Sequence, residues 1–265
     1  MEQVGTFCRR YRRLLMAAAY LLIFAVGVLY LRVTISIPPE GDDKLTLNKW
    51  LFDLHRMPYA QFLLQDLQGR LRYFTLQEPR FFPFHYPNAV ALLFYGSLSS
   101  YRLYIIAFTG AAAFLVSRVV RRFGSGDALA LAAFTLALAA APIWNEGMYS
   151  YYAVPQRALF WAMAAWLCLF PWETTRHRRW AVLGAALSFL ACGTYEIGYV
   201  FALLALVVWL LRRRSVKNAL LDTAPALGGM GVALIFHMLC GRSGGTGNER
   251  TARNAHVNLL FLTTI

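Results

Sequence analysis

The sequence predicts an all-α, polytopic integral membrane protein with about seven transmembrane helices. Of its 265 residues, 58% are hydrophobic and only 15% are charged, whereas soluble domains carry about 25% charged residues. Apolar runs of spanning length recur along the chain, since a membrane helix needs about 20 mainly apolar residues. Basic clusters occupy alternate connections between these runs, which is the charge distribution that orients membrane proteins.

The first predicted span, Leu14–Leu31, follows four arginines of a basic N-terminal tail. A basic start before an apolar run is typical of a signal peptide, but no small-residue cleavage site follows it. We therefore expect an uncleaved signal-anchor helix with the N-terminus in the cytoplasm.

Six further spans are predicted from later apolar runs. They are Leu103–Val120, Ala128–Ile143, Ala153–Phe170, Ala181–Gly193, Ile197–Leu211 and Ala219–Leu239. Ala89–Leu98 is too short to span and is interpreted as an interfacial or re-entrant segment.

The connections between these spans test the orientation. With the N-terminus inside, the inner connections contain three basic clusters, which are Arg118/Arg121/Arg122, Arg176/Arg178/Arg179 and Arg212/Arg213/Arg214/Lys217. The short outer connections hold only Arg157 and, at Thr194–Glu196, no basic residue. Because Lys and Arg are retained on the cytoplasmic side, we expect a cytoplasmic (inner) membrane protein whose active face is outside.

The whole chain, 1–265, is predicted to form a single membrane domain. Residues 1–13 form a cytoplasmic basic tail, and residues 36–88 form a large outer loop with interfacial helices. Residues 241–265 form a glycine-rich outer loop and the start of a further apolar run, which is too short to span. We therefore expect this chain to be truncated relative to a longer protein.

Net charge and cysteine usage exclude several functions. The net charge of +13 does not predict nucleic-acid binding, because the basic residues are dispersed in short clusters between apolar runs and form no continuous basic face. The four cysteines show no CxxC or metal-ligand spacing, so neither a disulfide framework nor a metal site is predicted. No cofactor is expected; the alternative is a divalent cation bound by Asp42 and Asp43.

Two outer segments contain candidate site residues. Asp42 and Asp43 follow the first span, where a carboxylate can serve as a general base or Asp43 can cap the next helix. The stretch Pro79–Pro87, which contains Arg80, His85 and Tyr86, forms either a headgroup-level aromatic belt or a docking surface for a sugar or lipid headgroup.

The third candidate is the turn between the two short spans, Thr194–Glu196. Half-length helices around a polar break often line a cavity, but an ordinary tight hairpin fits the same pattern. Glu196 is accordingly either a functional carboxylate at membrane depth, with Arg157 or Arg80 as its partner, or a turn residue in water.

Several of these features together resemble the C-type membrane glycosyltransferases, especially the bacterial and phage glucosyltransferases that modify O-antigen. Asp42-Asp43 matches the acidic pair after the first span of that family, and Gly193-Thr194-Tyr195-Glu196 resembles its Gly-x-Tyr-Gln/Glu element. The Arg-Phe-Phe-Pro stretch at 80–83 adds to the resemblance. The chain departs from the family in having Lys44 directly after the acidic pair, where an arginine is common, and in having fewer spans.

The resemblance implies an inverting glycosyltransferase of cell-envelope polysaccharide biosynthesis. Its donor would be a polyprenyl-phosphate-linked sugar and its acceptor an outer glycan or lipid-linked glycan. Asp42 or Asp43 would deprotonate the acceptor, while Arg80, His85 or Arg157 would hold the donor phosphate; Tyr86, Tyr195 and Glu196 would complete the substrate site.

The sequence features are also compatible with three other functions. A flippase or transporter for a lipid-linked substrate would show paired broken helices in two inverted halves, and only one such hairpin is found. A polysaccharide polymerase or ligase favours an arginine-rich outer loop, whereas residues 36–88 hold six acids and six bases. The last alternative is a non-catalytic assembly protein.

Overall fold

The computed structural model describes residues 2–35, 56–62, 64–65, 68, 98–124, 126–144 and 154–243. These residues form helices and turns without any strand, so the all-α prediction is confirmed for them. Seven long helices account for most of this part of the chain. They are α1 (Glu2–Ile35), α2 (Leu98–Arg122), α3 (Asp127–Trp144), α4 (Val154–Thr175), α5 (Arg178–Thr194), α6 (Ile197–Arg213) and α7 (Val216–Ser243).

Each of the seven predicted spans lies within one of these helices, apart from Ala153, just before α4. The predicted interfacial segment Ala89–Leu98 lies outside the described residues except for its last residue. The helices are longer than the apolar runs, because Arg and Lys are good helix formers and extend a helix beyond its apolar part. The segment 2–13, expected to be a tail, is therefore the first part of α1. Likewise, α7 continues to Ser243, into the segment expected to be a loop.

Two helices are long and apolar enough to cross a membrane. These are Tyr11–Leu29 within α1, where no residue of the apolar window is buried, and Val216–Leu239 within α7. Asp127–Ala140 is a shorter apolar helix. Buried core helices and signal sequences of soluble proteins share this length and composition.

The central helix of the assembly is α4. It packs against α2, α5, α6 and α7, whereas α3 packs against α2 and α1. The core along α4 combines large aromatic groups with alanines of the neighbouring helices. Trp166 lies edge-on to Trp209 of α6, with ring centroids 5.8 Å apart, and its indole N–H donates to the carbonyl oxygen of Phe201, at 3.2 Å.

Side-chain size is distributed in an unusual way between the interior and the surface. Many buried positions hold alanine, among them Ala158, Ala162, Ala165, Ala191, Ala202, Ala205, Ala219, Ala226 and Ala233. Large aliphatic side chains are exposed along the same helices, including Leu203, Leu204, Val207 and Leu211 on α6 and Val232, Ile235 and Leu239 on α7. Small residues thus allow the helices to approach closely, and bulky apolar groups cover the outside.

Two glycines mark places where a helix closely approaches the backbone of its neighbour. A Cβ at Gly229 of α7 would overlap the carbonyl oxygen of Ala185 on α5, and a Cβ at Gly198 of α6 would overlap the backbone of Ala191. A hydrogen bond from Ser188 Oγ to the carbonyl oxygen of Ala226, 2.8 Å long, fixes the α5–α7 contact. The close packing of α7 against α5 therefore requires glycine at position 229, and that of α6 against α5 requires glycine at position 198.

All basic clusters of the described helices meet at one end of the assembly, here called the basic end. Arg12 of α1 contacts Asp127 at the start of α3, at 2.7 Å. Phe123, directly after α2, packs edge-on against Phe170 of α4 and Trp209 of α6, with centroid distances of 5.0 and 5.3 Å. The N-terminus of α1 and the turns after α2, α4 and α6 thus lie on the same side, as the alternation of basic connections predicts.

Two buried carboxylates join α4, α6 and α7 at the basic end, in an arrangement here called the carboxylate bridge. Glu173 accepts hydrogen bonds from the Trp209 indole and from Arg212, both at 2.8 Å. Asp222 is paired with Arg176 and, at 2.8 Å, with Arg213 Nε. Arg213 Nη2 also lies 3.6 Å from Glu173, so one guanidinium links both carboxylates.

A more exposed ion pair joins α1 to α3 at the same end. The hydrogen bond from Arg12 lowers the pKa of Asp127 below its usual value. An acid with a lowered folded-state pKa contributes stability above its unfolded pKa and loses that contribution as the pH falls through the folded value. This contact is therefore intact at neutral pH and weakens only in acid.

We expect Gly229→Ala to destabilise the protein, although alanine normally stabilises a helix interior by about 0.5–1 kcal/mol relative to glycine. The reason is the overlap of the new Cβ with Ala185. Gly228→Ala is the matched control, because a Cβ there meets no atom within 4 Å. Thermal unfolding of purified protein should give a lower midpoint for Gly229→Ala and an unchanged or higher one for Gly228→Ala. Equal midpoints for the two variants would contradict the close contact.

Asp222→Asn should lower stability by about 2 kcal/mol, because it leaves Arg176 without its carboxylate and leaves Arg213 only the longer contact with Glu173, at 3.6 Å. This is less than for a fully buried pair, since the two arginine side chains are 44% and 37% exposed and partly solvated. The expected shift of the unfolding midpoint is about 5 °C. Asp127→Asn serves as the control and should lower the midpoint less, because the Asp127 side chain is 20% exposed, against 2% for Asp222, and its partners Arg12 and Arg121 are 62% and 38% exposed. Similar midpoints for both variants would show that the carboxylate bridge has no special role.

Candidate functional site

The start of α4 carries two polar side chains into the interior. Gln156 is 4% exposed and Arg157 is 1% exposed. Pro155 is tolerated in this first helical turn because its missing N–H has no helical partner there. Since α4 is surrounded by four other helices, even its first turn is buried. This places both side chains at the end of the assembly opposite to the basic end.

Burial of a guanidinium group is costly, and an ionisable residue within a helical membrane bundle typically marks a substrate or ion path. A buried amide is also costly without a partner, by about 1–3 kcal/mol. Both polar atoms of the Gln156 side chain lack a hydrogen-bond partner within the described part of the chain. Gln156 and Arg157 therefore identify this end of α4 as the first candidate site.

An apolar groove of about 580 Å³ extends from this turn toward the basic end. Four helices contribute to it: α2, α3, α4 and α6. On α2 the lining residues extend from Thr109 to Phe123, a distance of about 21 Å at 1.5 Å per residue. Gln156 and Thr109 are its polar lining residues, and none of the side chains that line it carries a charge.

The groove is open on the side between α3 and α6. Helix α3 packs against α2 and α1, and helix α6 packs against α4, α5 and α7. Leu136 of α3 and Leu204 of α6 line the groove and are 69% and 43% exposed, so they form the edges of its opening. The volume lies within the range of about 300–1,000 Å³ that is usual for ligand pockets.

The two buried polar residues face different surroundings. Successive residues of an α-helix are separated by about 100° around its axis. Gln156 lines the groove, whereas Arg157 is not one of its lining residues. The amide thus belongs to the groove and the guanidinium to a neighbouring part of the interior.

Of the site residues predicted from the sequence, five fall outside the described residues. These are Asp42, Asp43, Arg80, His85 and Tyr86. The turn that contains Tyr195 and Glu196 is described and lies at the same end as Arg157, because α4 begins there and the α5–α6 turn returns there. The described residues include no ion pair between Glu196 and Arg157.

The α5–α6 turn is a tight two-residue connection. The Gly198 N–H donates to the carbonyl oxygen of Tyr195, at 2.9 Å, and both Tyr195 and Glu196 are exposed. Helices α5 and α6 have 17 residues each, about 26 Å, because Arg178–Trp180 and Arg212–Arg213 are also helical. The two helices that flank the turn are therefore longer than the predicted apolar runs, and they form a tight helical hairpin.

Of the two buried polar residues at the start of α4, the sequence analysis selected Arg157 and not Gln156 as a site residue, and it did not select Thr109 of the groove lining. Gln156 directly precedes Arg157 in a polar turn, which was the available signal. Cys168 and Cys192 are buried free thiols, and the described residues contain no cluster of three or more His, Cys, Asp or Glu side chains suited to a metal.

No protein-family model, curated protein or solved structure matches this chain.

Proposed function

We propose that the seven helices cross a membrane, with the basic end in the cytoplasm. The distribution of side-chain size supports this, because membrane helices pack through small residues and present bulky apolar groups to lipid. A soluble protein would instead expose such a contiguous apolar surface to water, which monomeric proteins rarely do. The gathering of all basic clusters at one end supports the orientation, because Lys and Arg are retained on the cytoplasmic side.

Cysteine labelling tests this topology. In a chain whose four cysteines are replaced by alanine or serine, a single Glu196→Cys should react with a membrane-impermeant maleimide on intact cells. A single Lys217→Cys should react only after the membrane is permeabilised. The two positions form a matched pair, because both are exposed. Glu196 directly precedes α6, and Lys217 lies in the first turn of α7, beyond the other end of α6. Labelling of Lys217→Cys on intact cells would overturn the proposed orientation.

For the activity we propose a membrane glycosyltransferase that works on the outer face. The observation that carries this proposal is Arg157, a buried guanidinium at the outward end of the central helix. Arginine is suited to phosphate oxygens through charge-assisted, bidentate hydrogen bonds. A polyprenyl-phosphate-linked sugar would present its phosphate to this group at the outer level of the membrane.

The acidic pair Asp42-Asp43 supplies the second part of the proposed chemistry. It follows α1, whose C-terminal end faces outward in the proposed orientation. One carboxylate takes the proton of the acceptor hydroxyl, the acceptor oxygen forms a bond to the anomeric carbon, and the bond from that carbon to the phosphate oxygen breaks. Polyprenyl phosphate leaves with the electron pair, and the configuration at the anomeric carbon is inverted.

Mass spectrometry of surface and lipid-linked glycans tests the activity. Cells with the intact gene should carry a single added hexose-sized mass that is missing after gene deletion and in Asp42→Asn/Asp43→Asn. Arg157→Gln should also lose most of the modification, whereas Arg178→Gln, a matched change at an exposed position of the basic end, should keep it. An unchanged glycan profile after deletion would favour a flippase or an assembly protein. A fully active Asp42→Asn/Asp43→Asn variant would exclude the acidic pair as the base.

A further inference from the structure

The Gln156 amide is buried and forms no hydrogen bond within the described part of the chain. Its side chain lines the groove, and neither its oxygen nor its nitrogen has a hydrogen-bond partner in the described part of the chain. Buried polar groups in folded proteins are nearly always satisfied by protein, water or a bound molecule. A molecule bound in the groove can supply a partner to the Gln156 amide.

The depth of Gln156 restricts what this molecule is. Helix α4 has 22 residues, about 33 Å, close to the thickness of a bilayer's hydrocarbon core of about 30 Å. Gln156 lies in its first turn, so in the proposed membrane it lies at the boundary between hydrocarbon and headgroups. The rest of the groove extends from there into the hydrocarbon layer.

The chemistry of the lining restricts the ligand further. The groove offers apolar walls over most of its length, and no lining side chain is charged. A carboxamide N–H is satisfied by a neutral carbonyl oxygen, whereas a phosphate anion would be better matched by a cation. The occupant is therefore a hydrocarbon chain that ends in a neutral acceptor at the level of Gln156.

We propose that the groove binds one acyl chain of a bilayer glycerophospholipid, which enters between α3 and α6. Its ester carbonyl oxygen accepts a hydrogen bond from Gln156 Nε2, and its methylene groups pack along α2 toward Phe123. Such a chain restores the dispersion contacts that the groove walls lack without it. This inference uses the proposed membrane embedding but not the proposed transferase activity, because Arg157 lies outside the groove lining.

The role of the ester carbonyl is tested with matched lipids. The full chain is incorporated into nanodiscs of diester or diether phosphatidylethanolamine, and the lipid retained on the protein after transfer to detergent is counted by native mass spectrometry. A single hydrogen bond contributes about 1 kcal/mol, so retention of the diester should be about fivefold higher than that of the diether. Equal retention of the two lipids would overturn the proposal.

Gln156→Leu separates the hydrogen bond from the fold. It should lower diester retention to the diether level, while thermal stability stays equal or rises, because an unsatisfied buried amide is replaced by an apolar group. Persistence of the ester preference in this variant would exclude Gln156 as the donor.

Two bulky substitutions test whether the lipid binds in the groove. Ala133→Phe places a ring in the groove lining of α3 and should lower retention of both lipids, whereas Ala186→Phe on the exposed face of α5 should leave it unchanged. Equal retention in both variants would contradict binding in the groove.

A polyprenyl monophosphate that displaces the phospholipid at equimolar concentration would assign the groove to that lipid instead. Failure of the glycosyl-transfer test leaves these results unaffected.

Discussion

The arrangement of the helices depends on one constraint, which is that α4 must fit among four neighbours. A helix in this position has no free face, so its neighbours approach through small side chains such as Ala162 and Ala205, with Trp166 and Trp209 filling the remaining space. Polar groups on α4 are buried for the same reason. The burial of these positions thus results from the central place of α4, whereas the presence of Gln156 and Arg157 at buried positions is the feature that identifies the candidate site.

The sequence predicted the helices and which of their ends lie together, because apolar length and the alternation of basic clusters are local properties of the chain. It did not predict the ends of α5 and α6, since an apolar run stops at its first charge while the helix continues through arginines. Nor did it predict which face of each helix is buried, because helices that are apolar all round carry little directional pattern. The groove is a space between four helices, and only their relative positions reveal it.

Gln156 and Arg157 show how adjacent residues of one helical turn can serve different purposes. The neutral amide faces a space lined by hydrocarbon, and the cation faces a separate part of the interior. The proposed transferase chemistry concerns the cation together with Asp42 and Asp43, whereas lipid occupancy concerns the amide alone. The two proposals can therefore succeed or fail independently, although they concern residues next to each other.

The carboxylate bridge has a mechanical consequence for the groove. It joins α4, α6 and α7 through ionic contacts at the basic end, so that these helices resist separation as one stiff unit. On the other side of the opening, α3 is held by α2 and α1, mainly through apolar contacts such as Tyr20 against Phe134. The ion pairs of the bridge involve neither α3 nor α1. They therefore brace the groove wall formed by α4 and α6, whereas the α3 wall depends on its contacts with α1 and α2, among them the ion pairs of Asp127 with Arg12 and Arg121.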